Sequence, residues 1–120
     1  MSRHVVVTGA SSGIGAACAR AFSAGGDRLS LGARRTERLP AVVDGAFCHQ
    51  LDVTDQASVA TFVESSIAAN GPIDVLVNNA GLARGTEQIA TGTGEAWREM
   101  IETNVLGLLE VTRRVLPHMV

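Results

Sequence analysis

The 120 residues contain no tyrosine and no lysine, and all ten positively charged side chains are arginine. Neither a phenol nor a side-chain amine is at hand for acid–base work, which bears on whether this stretch performs chemistry by itself. Cysteine is scarce: Cys18 falls on an apolar helical face and Cys48 in an expected strand, with no Cys-x-x-Cys spacing. Both read as buried free thiols. His4, His49 and His118 are far apart, and Cys48 and His49, adjacent on a strand, point to opposite faces, so no metal site is expected.

A net charge of −2 and scattered arginines provide no basic field for nucleic acid. No apolar run approaches the roughly 20 residues that span a bilayer. Met1-Ser2-Arg3-His4 leads straight into a strand pattern rather than a signal-peptide apolar stretch, so a cytoplasmic location is expected. There is no internal repeat, linker or low-complexity segment. What is present is 46% hydrophobic and 18% charged residues, the composition of one domain, 1–120, with a buried core.

The richest feature is Thr8-Gly9-Ala10-Ser11-Ser12-Gly13-Ile14-Gly15, which follows the apolar run His4-Val5-Val6-Val7 and opens a helical pattern. Glycines at this spacing let the backbone leave a strand tightly, bring main-chain N–H groups near a pyrophosphate and aim a helix N-terminus at its charge. Val5 to Thr8 reads as the first strand, and Ile14, Ala17, Cys18, Ala21 and Phe22 mark a helix that stops at Gly25-Gly26. Arg28 to Ala33 is a second strand, followed by a short helix at Thr36 to Leu39 that Pro40 truncates. Ala46 to Leu51 is a third strand. A helix capped by Thr54 or Asp55 runs to Asn70 and ends at Gly71-Pro72, and Asp74 to Asn78 is a fourth strand. After a polar stretch with Gly85, Gly92 and Gly94, one long helix is expected from Glu95 to Leu116.

Strands alternating with helices call for an α/β fold: a Rossmann-type, doubly wound parallel sheet in the order 3-2-1-4, with a cleft beside strand 1 where the winding reverses. At the end of strand 2, where an acidic residue would bind the ribose 2′-hydroxyl of NAD, stand Ala33-Arg34-Arg35. A guanidinium fork matches a 2′-phosphate, so NADP(H) is favoured over NAD(H), the alternative being two solvated arginines.

Three further signals stand at compatible distances: Leu51-Asp52-Val53-Thr54, Asn78-Asn79-Ala80-Gly81, and Asn104 in the long helix. With Thr8 to Gly15 they resemble the short-chain dehydrogenase/reductase family over essentially the whole chain. Arg34 to Leu39, Asn78 to Leu82 and Trp97 to Met119 look nearest to members acting on short 3-hydroxy acids, including serine-type dehydrogenases. The resemblance implies that Gly9, Gly13 and Gly15 shape the turn while Ser11, Ser12 and Ile14 approach phosphates and ribose. It implies that Asp52 accepts from the adenine amino group, Val53 contacts the ring, Asn78 braces the backbone beside the adenosine, and Ala80 and Gly81 line it. Asn104 is the counterpart of a catalytic Asn that holds a relay water through its main chain in a locally bent helix. On residue type alone, Ser12 is equally a turn residue, Asp52 a helix-capping carboxylate and Asn104 an ordinary helical Asn. Glu95, Arg98, Glu99 and Glu102 read as the solvated face of the long helix.

The family's Tyr, the Lys four residues after it and the Ser that orients the carbonyl have no counterpart here. The expectation is therefore the cofactor-binding half of an oxidoreductase that moves hydride between nicotinamide and a carbonyl/alcohol pair, truncated after the fourth strand and following helix, and inactive alone. The alternative is a non-catalytic nucleotide- or partner-binding module from a truncated gene. In either case strand 4 is expected as an open edge, and self-association through that edge and the long helix is expected.

Overall fold

The computed structural model describes residues 2–82 and 88–120, so Gly85 in the expected polar stretch lies outside the described residues. Four strands, β1 (His4–Thr8), β2 (Arg28–Ala33), β3 (Phe47–Gln50) and β4 (Val75–Val77), form one sheet in the order β3-β2-β1-β4. Every pairing is parallel, with Val6 opposite Ser30 on one side and Leu76 on the other. The fold is the expected Rossmann-type sheet.

The helices α1 (Gly13–Ala24) and α2 (Gln56–Asn70) are the crossovers. Side chains alternate across a strand, and β1 shows the result. Val5 and Val7 pack with Ala16 and Ala19 of α1, whereas Val6 packs on the other face with Val59, Phe62 and Val63 of α2. The second face also buries Val111 and Val115. These belong to α4 (Leu108–Val115), which continues from α3 (Gly94–Ile101) through a π turn at Glu102–Gly107.

Two expected helices are corrected. The turn after β2 is a 3₁₀ turn at Leu39–Ala41, not a helix at 36–39. Pro40 sits within its first two positions, where a missing N–H costs nothing, so proline opens this turn instead of ending it. The single long helix is α3, π turn and α4 in succession, closing with a 3₁₀ turn at Leu116–His118. Strands β3 and β4 are each one residue shorter at both ends than the apolar runs suggested.

The lower end of the sheet is tied by a fully buried histidine. His4 Nδ1 lies 2.9 Å from the Gly71 carbonyl, and Nε2 lies 2.6 Å from Ser30 Oγ. A carbonyl only accepts, so Nδ1 carries the hydrogen and Nε2 accepts from the serine hydroxyl. Ser30 Oγ in turn accepts from Asn70 Nδ2 at 3.0 Å, and that amide also donates to the Leu29 carbonyl at 3.1 Å. The His4 N–H donates to Asp74 Oδ2 at 2.8 Å. Burial pushes the His4 pKa below its ordinary value, and Arg28 adds to this against the Gly71 and Pro72 backbone contacts and Asp74. The strands β1 and β2 and the C-terminus of α2 are thereby joined by one directional chain of hydrogen bonds.

Candidate functional site

At the opposite, C-terminal end of the strands, the glycine-rich loop folds against the segment after β4. Gly9 and Gly13 adopt φ values of 61° and 58°, a left-handed conformation that glycine takes without steric cost. A Cβ on Gly9 would stand 2.9 Å from Ala80 Cα, and one on Gly15 would overlap the Gly9 carbonyl and the Asn79 amide. Close backbone packing is thus the reason for glycine at both positions.

Hydrogen bonds fix the approach. Thr8 Oγ1 accepts from the N–H groups of Asn79 (3.0 Å) and Ala80 (2.9 Å), and Asn79 Nδ2 donates to the Gly9 carbonyl at 3.0 Å. Asn78, expected to brace the backbone beside the adenosine, donates through Nδ2 to Thr112 Oγ1 of α4 at 3.0 Å. Both asparagines lie beyond the end of β4 at Val77, and the two side chains serve opposite sides. Thr8 and Asn79 are the structural residues that sequence reasoning missed. The only signals for them were a hydroxyl immediately before Gly9 and a doubled Asn.

The loop delivers the N-terminus of α1. Ser12 occupies the N-cap position in an extended conformation, φ −161°, and makes no side-chain capping bond. The first-turn N–H groups and the positive end of the helix are therefore presented outward, an arrangement suited to a phosphate. Ser12, Gly13 and Ile14 are exposed, Ser11 is half-buried and Gly15 is buried.

Beside the loop lies a cleft of about 290 Å³ lined by Gly9, Ser11, Arg34, Arg35, Val53, Gly81 and neighbouring residues, including Ala80, Leu82 and Thr103. Arg35 and Ser11 also border an outer hollow shared with Glu37 and Arg38. Asp52 Oδ1 accepts from Thr54 Oγ1 at 2.6 Å and Thr54 N at 3.0 Å, with Arg34 Nη2 at 3.8 Å. The Thr54 hydroxyl holds the Asp52 carboxyl below its usual range, with the Thr54 N–H and Arg34 assisting against burial. Helix capping falls instead to Asp55, which accepts from Ala57 N and Ser58 N.

Asn104 lies in the π turn and spends its side chain on the loop after β4. Oδ1 accepts from Leu82 N at 2.7 Å and Nδ2 donates to the Leu82 carbonyl at 2.8 Å. A Cβ on Gly81 would come to 3.4 Å from the same Oδ1. The widened turn departs from the α ladder around Asn104, which is how a helix carbonyl becomes available to a partner outside the helix. Among the described residues there is no cluster of three His, Cys, Asp or Glu side chains that could hold a metal ion, and no helix long and apolar enough to cross a membrane.

A sequence model of the short chain dehydrogenase family matches residues 3–120. The chain belongs to that family. Among relatives, the NADP-dependent 3-hydroxy acid dehydrogenase YdfG of Salmonella typhi is 44% identical over 120 residues, 97% of this chain and 48% of that protein. The serine dehydrogenase of Escherichia coli superposes with a TM-score of 0.89 at 41% identity, covering 98% of this chain and 56% of the other. An alcohol dehydrogenase from Thermococcus sibiricus, solved with 5-hydroxy-NADP, gives a TM-score of 0.94 at 35% identity, covering 99% and 54% respectively. The chain spans about half the length of the curated relatives it matches.

Proposed function

We propose that the chain is the cofactor-binding portion of an NADP(H)-dependent, cytoplasmic oxidoreductase that transfers hydride between nicotinamide and a carbonyl/alcohol substrate. The observation that carries this reading is the position of Arg34 and Arg35 on the cleft beside the outward-facing N-terminus of α1. Two guanidinium groups at the end of β2 suit a 2′-phosphate, as an acidic residue there would not. The uncapped first turn suits the pyrophosphate, while Asp52 and Val53 suit the adenine. The names of the relatives, a 3-hydroxy acid dehydrogenase and a serine dehydrogenase, support short 3-hydroxy acids as the substrate class.

Asn104 contributes the π-turn backbone of a proton relay. The phenolic acid–base and its ammonium partner cannot come from these 120 residues, which have no Tyr and no Lys. In this reading the chain binds cofactor but does not turn over substrate without those groups. Binding without catalysis is also what a nucleotide-binding module would do. Titration of the chain with NADPH and NADH, followed by nicotinamide fluorescence, tests the cofactor assignment. NADPH binds more tightly, and Arg34→Ala/Arg35→Ala removes the preference, each ordered charge-assisted contact being worth about 1.5–3 kcal/mol. Equal affinities in the unaltered chain refute it. Robust, saturable oxidation of NADPH with 3-oxo acids by the homogeneous chain would refute the division of labour and demand another acid.

A further inference from the structure

The π turn touches both walls of the cleft. On one side Asn104 grips both backbone groups of Leu82, fixing the wall after β4. On the other side Gly107, buried at the end of the same turn, faces Val53. A Cβ at position 107 would stand 2.6 Å from Val53 Cγ2 and 3.0 Å from Val53 Cβ, with the Glu102 carbonyl at 3.2 Å. The first distance is shorter than side chains tolerate, and valine is stiff about χ1, so Val53 could not simply swing its methyl away. Nor is there room on its core side. Val53 is 6% exposed and belongs to the cluster with Leu51, Val59 and Phe62, while its neighbour Asp52 is pinned by Thr54. Val53 lines both the cleft and a second hollow that Gly107 shares, so displacing it reshapes the cleft wall.

We infer that Gly107 is a positioning residue for the cofactor, setting through the π turn where Val53 stands at the wall that receives the adenine ring. The inference rests on the cofactor assignment proposed above. The absence of a side chain at 107 lets the turn close against Val53, so one irregular helical segment holds the spacing of the two walls.

The test is calorimetric titration of the chain with adenosine 2′,5′-bisphosphate, which carries the adenine and 2′-phosphate without nicotinamide. Four proteins are compared: unaltered, Gly107→Ala, Val53→Ala and Val53→Ala/Gly107→Ala. Gly107→Ala weakens binding about tenfold, whereas Val53→Ala and the double variant agree within twofold, because removing Cγ2 takes away the 2.6 Å approach and leaves only the milder contacts at 3.0 and 3.2 Å. Inorganic pyrophosphate, which engages the glycine loop alone, binds Gly107→Ala as it binds the unaltered chain. If Gly107→Ala does not fold, the comparison between Val53→Ala and the double variant decides. A tenfold gap within that pair, a folded Gly107→Ala of unaltered affinity, or a parallel loss of pyrophosphate binding overturns the inference. Failure of the unaltered chain to bind the bisphosphate overturns the cofactor assignment itself, and this inference with it.

Discussion

Replacing Ser30 by alanine should destabilise the chain by about 2 kcal/mol at neutral pH, and by less in mild acid. Ser30 is fully buried, and its hydroxyl is the donor to His4 Nε2 and an acceptor for Asn70 Nδ2. Without it, Nε2 is left unsatisfied in a fully buried ring, a desolvation cost of about 1–3 kcal/mol. Asn70 keeps its bond to the Leu29 carbonyl, so its loss is the smaller part. Two kcal/mol corresponds to roughly 10 °C in Tm for a domain near this size. The pH dependence follows from the depressed pKa of His4. The unfolded chain takes up the imidazole proton below about pH 6.5 and the folded chain only at lower pH, so stability is complete above about 6.5 and is lost as pH falls toward the folded value. In Ser30→Ala the neutral ring has lost its donor at Nε2, so protonation costs less and the gap between the two proteins narrows. Asp27, Asp52 and Glu110, whose pKa values are also lowered, lose their contributions at more acidic pH and do so alike in both proteins. Urea unfolding at pH 7.5 and 5.5 measures both quantities. A gap below about 0.5 kcal/mol at pH 7.5, under the usual worth of a hydrogen bond, or one that stays constant between the two values, refutes the reasoning.

Three other outcomes follow from the geometry. Gly15→Ala should abolish NADPH binding detectable at micromolar concentrations, since its Cβ would overlap the Gly9 carbonyl and the Asn79 amide; retained affinity in a titration would show that the loop relaxes cheaply. Asn79→Ala should weaken NADPH binding several-fold more than Asn78→Ala, because only the former releases the Gly9 carbonyl; parallel titrations decide, and equal losses count against the bracing role. The chain should self-associate at micromolar concentration through the outer edge of β4 and the exposed side chains of Ile101, Leu106 and Leu109. Size exclusion with light scattering would contradict this by returning a monodisperse monomer.

The strand order and the two crossovers were legible because they rest on strong local signals: unbroken apolar runs at Val5 to Val7 and Val75 to Val77, and glycines where the chain reverses. The glycine loop was legible for the same reason, its left-handed residues being ones that other side chains rarely occupy. Sequence periodicity failed where a decision depended on distant partners. Nothing local distinguishes Asn78 from Asn79; the strand end and the arrival of Gly9 do. Asp52 and Asp55 both look like caps, but the carboxylate of Asp55 alone meets the first turn of α2. Periodicity hid the π turn, which only the family resemblance signalled as a local bend, because Glu102 to Gly107 has an apolar spacing acceptable to an ordinary helix and its widening depends on contacts with Leu82 and Val53.

That turn also acts as a phase correction. The buried residues Ala96 of α3 and Val115 of α4 are 19 positions apart (115 − 96). On a regular helix 19 residues overshoot five turns by one residue, or about 100°. A π turn absorbs one extra residue, leaving 18 that advance the helix by about five whole turns and bring Val115 back to the azimuth of Ala96. Deleting one residue between 102 and 107 would therefore leave Ala96 and Val115 on one azimuth while rotating Asn104 or Gly107 off its contact. The inserted residue is a timing device: it keeps the buried residues of α3 and α4 on one azimuth while the middle of the helix turns a different face to the cleft.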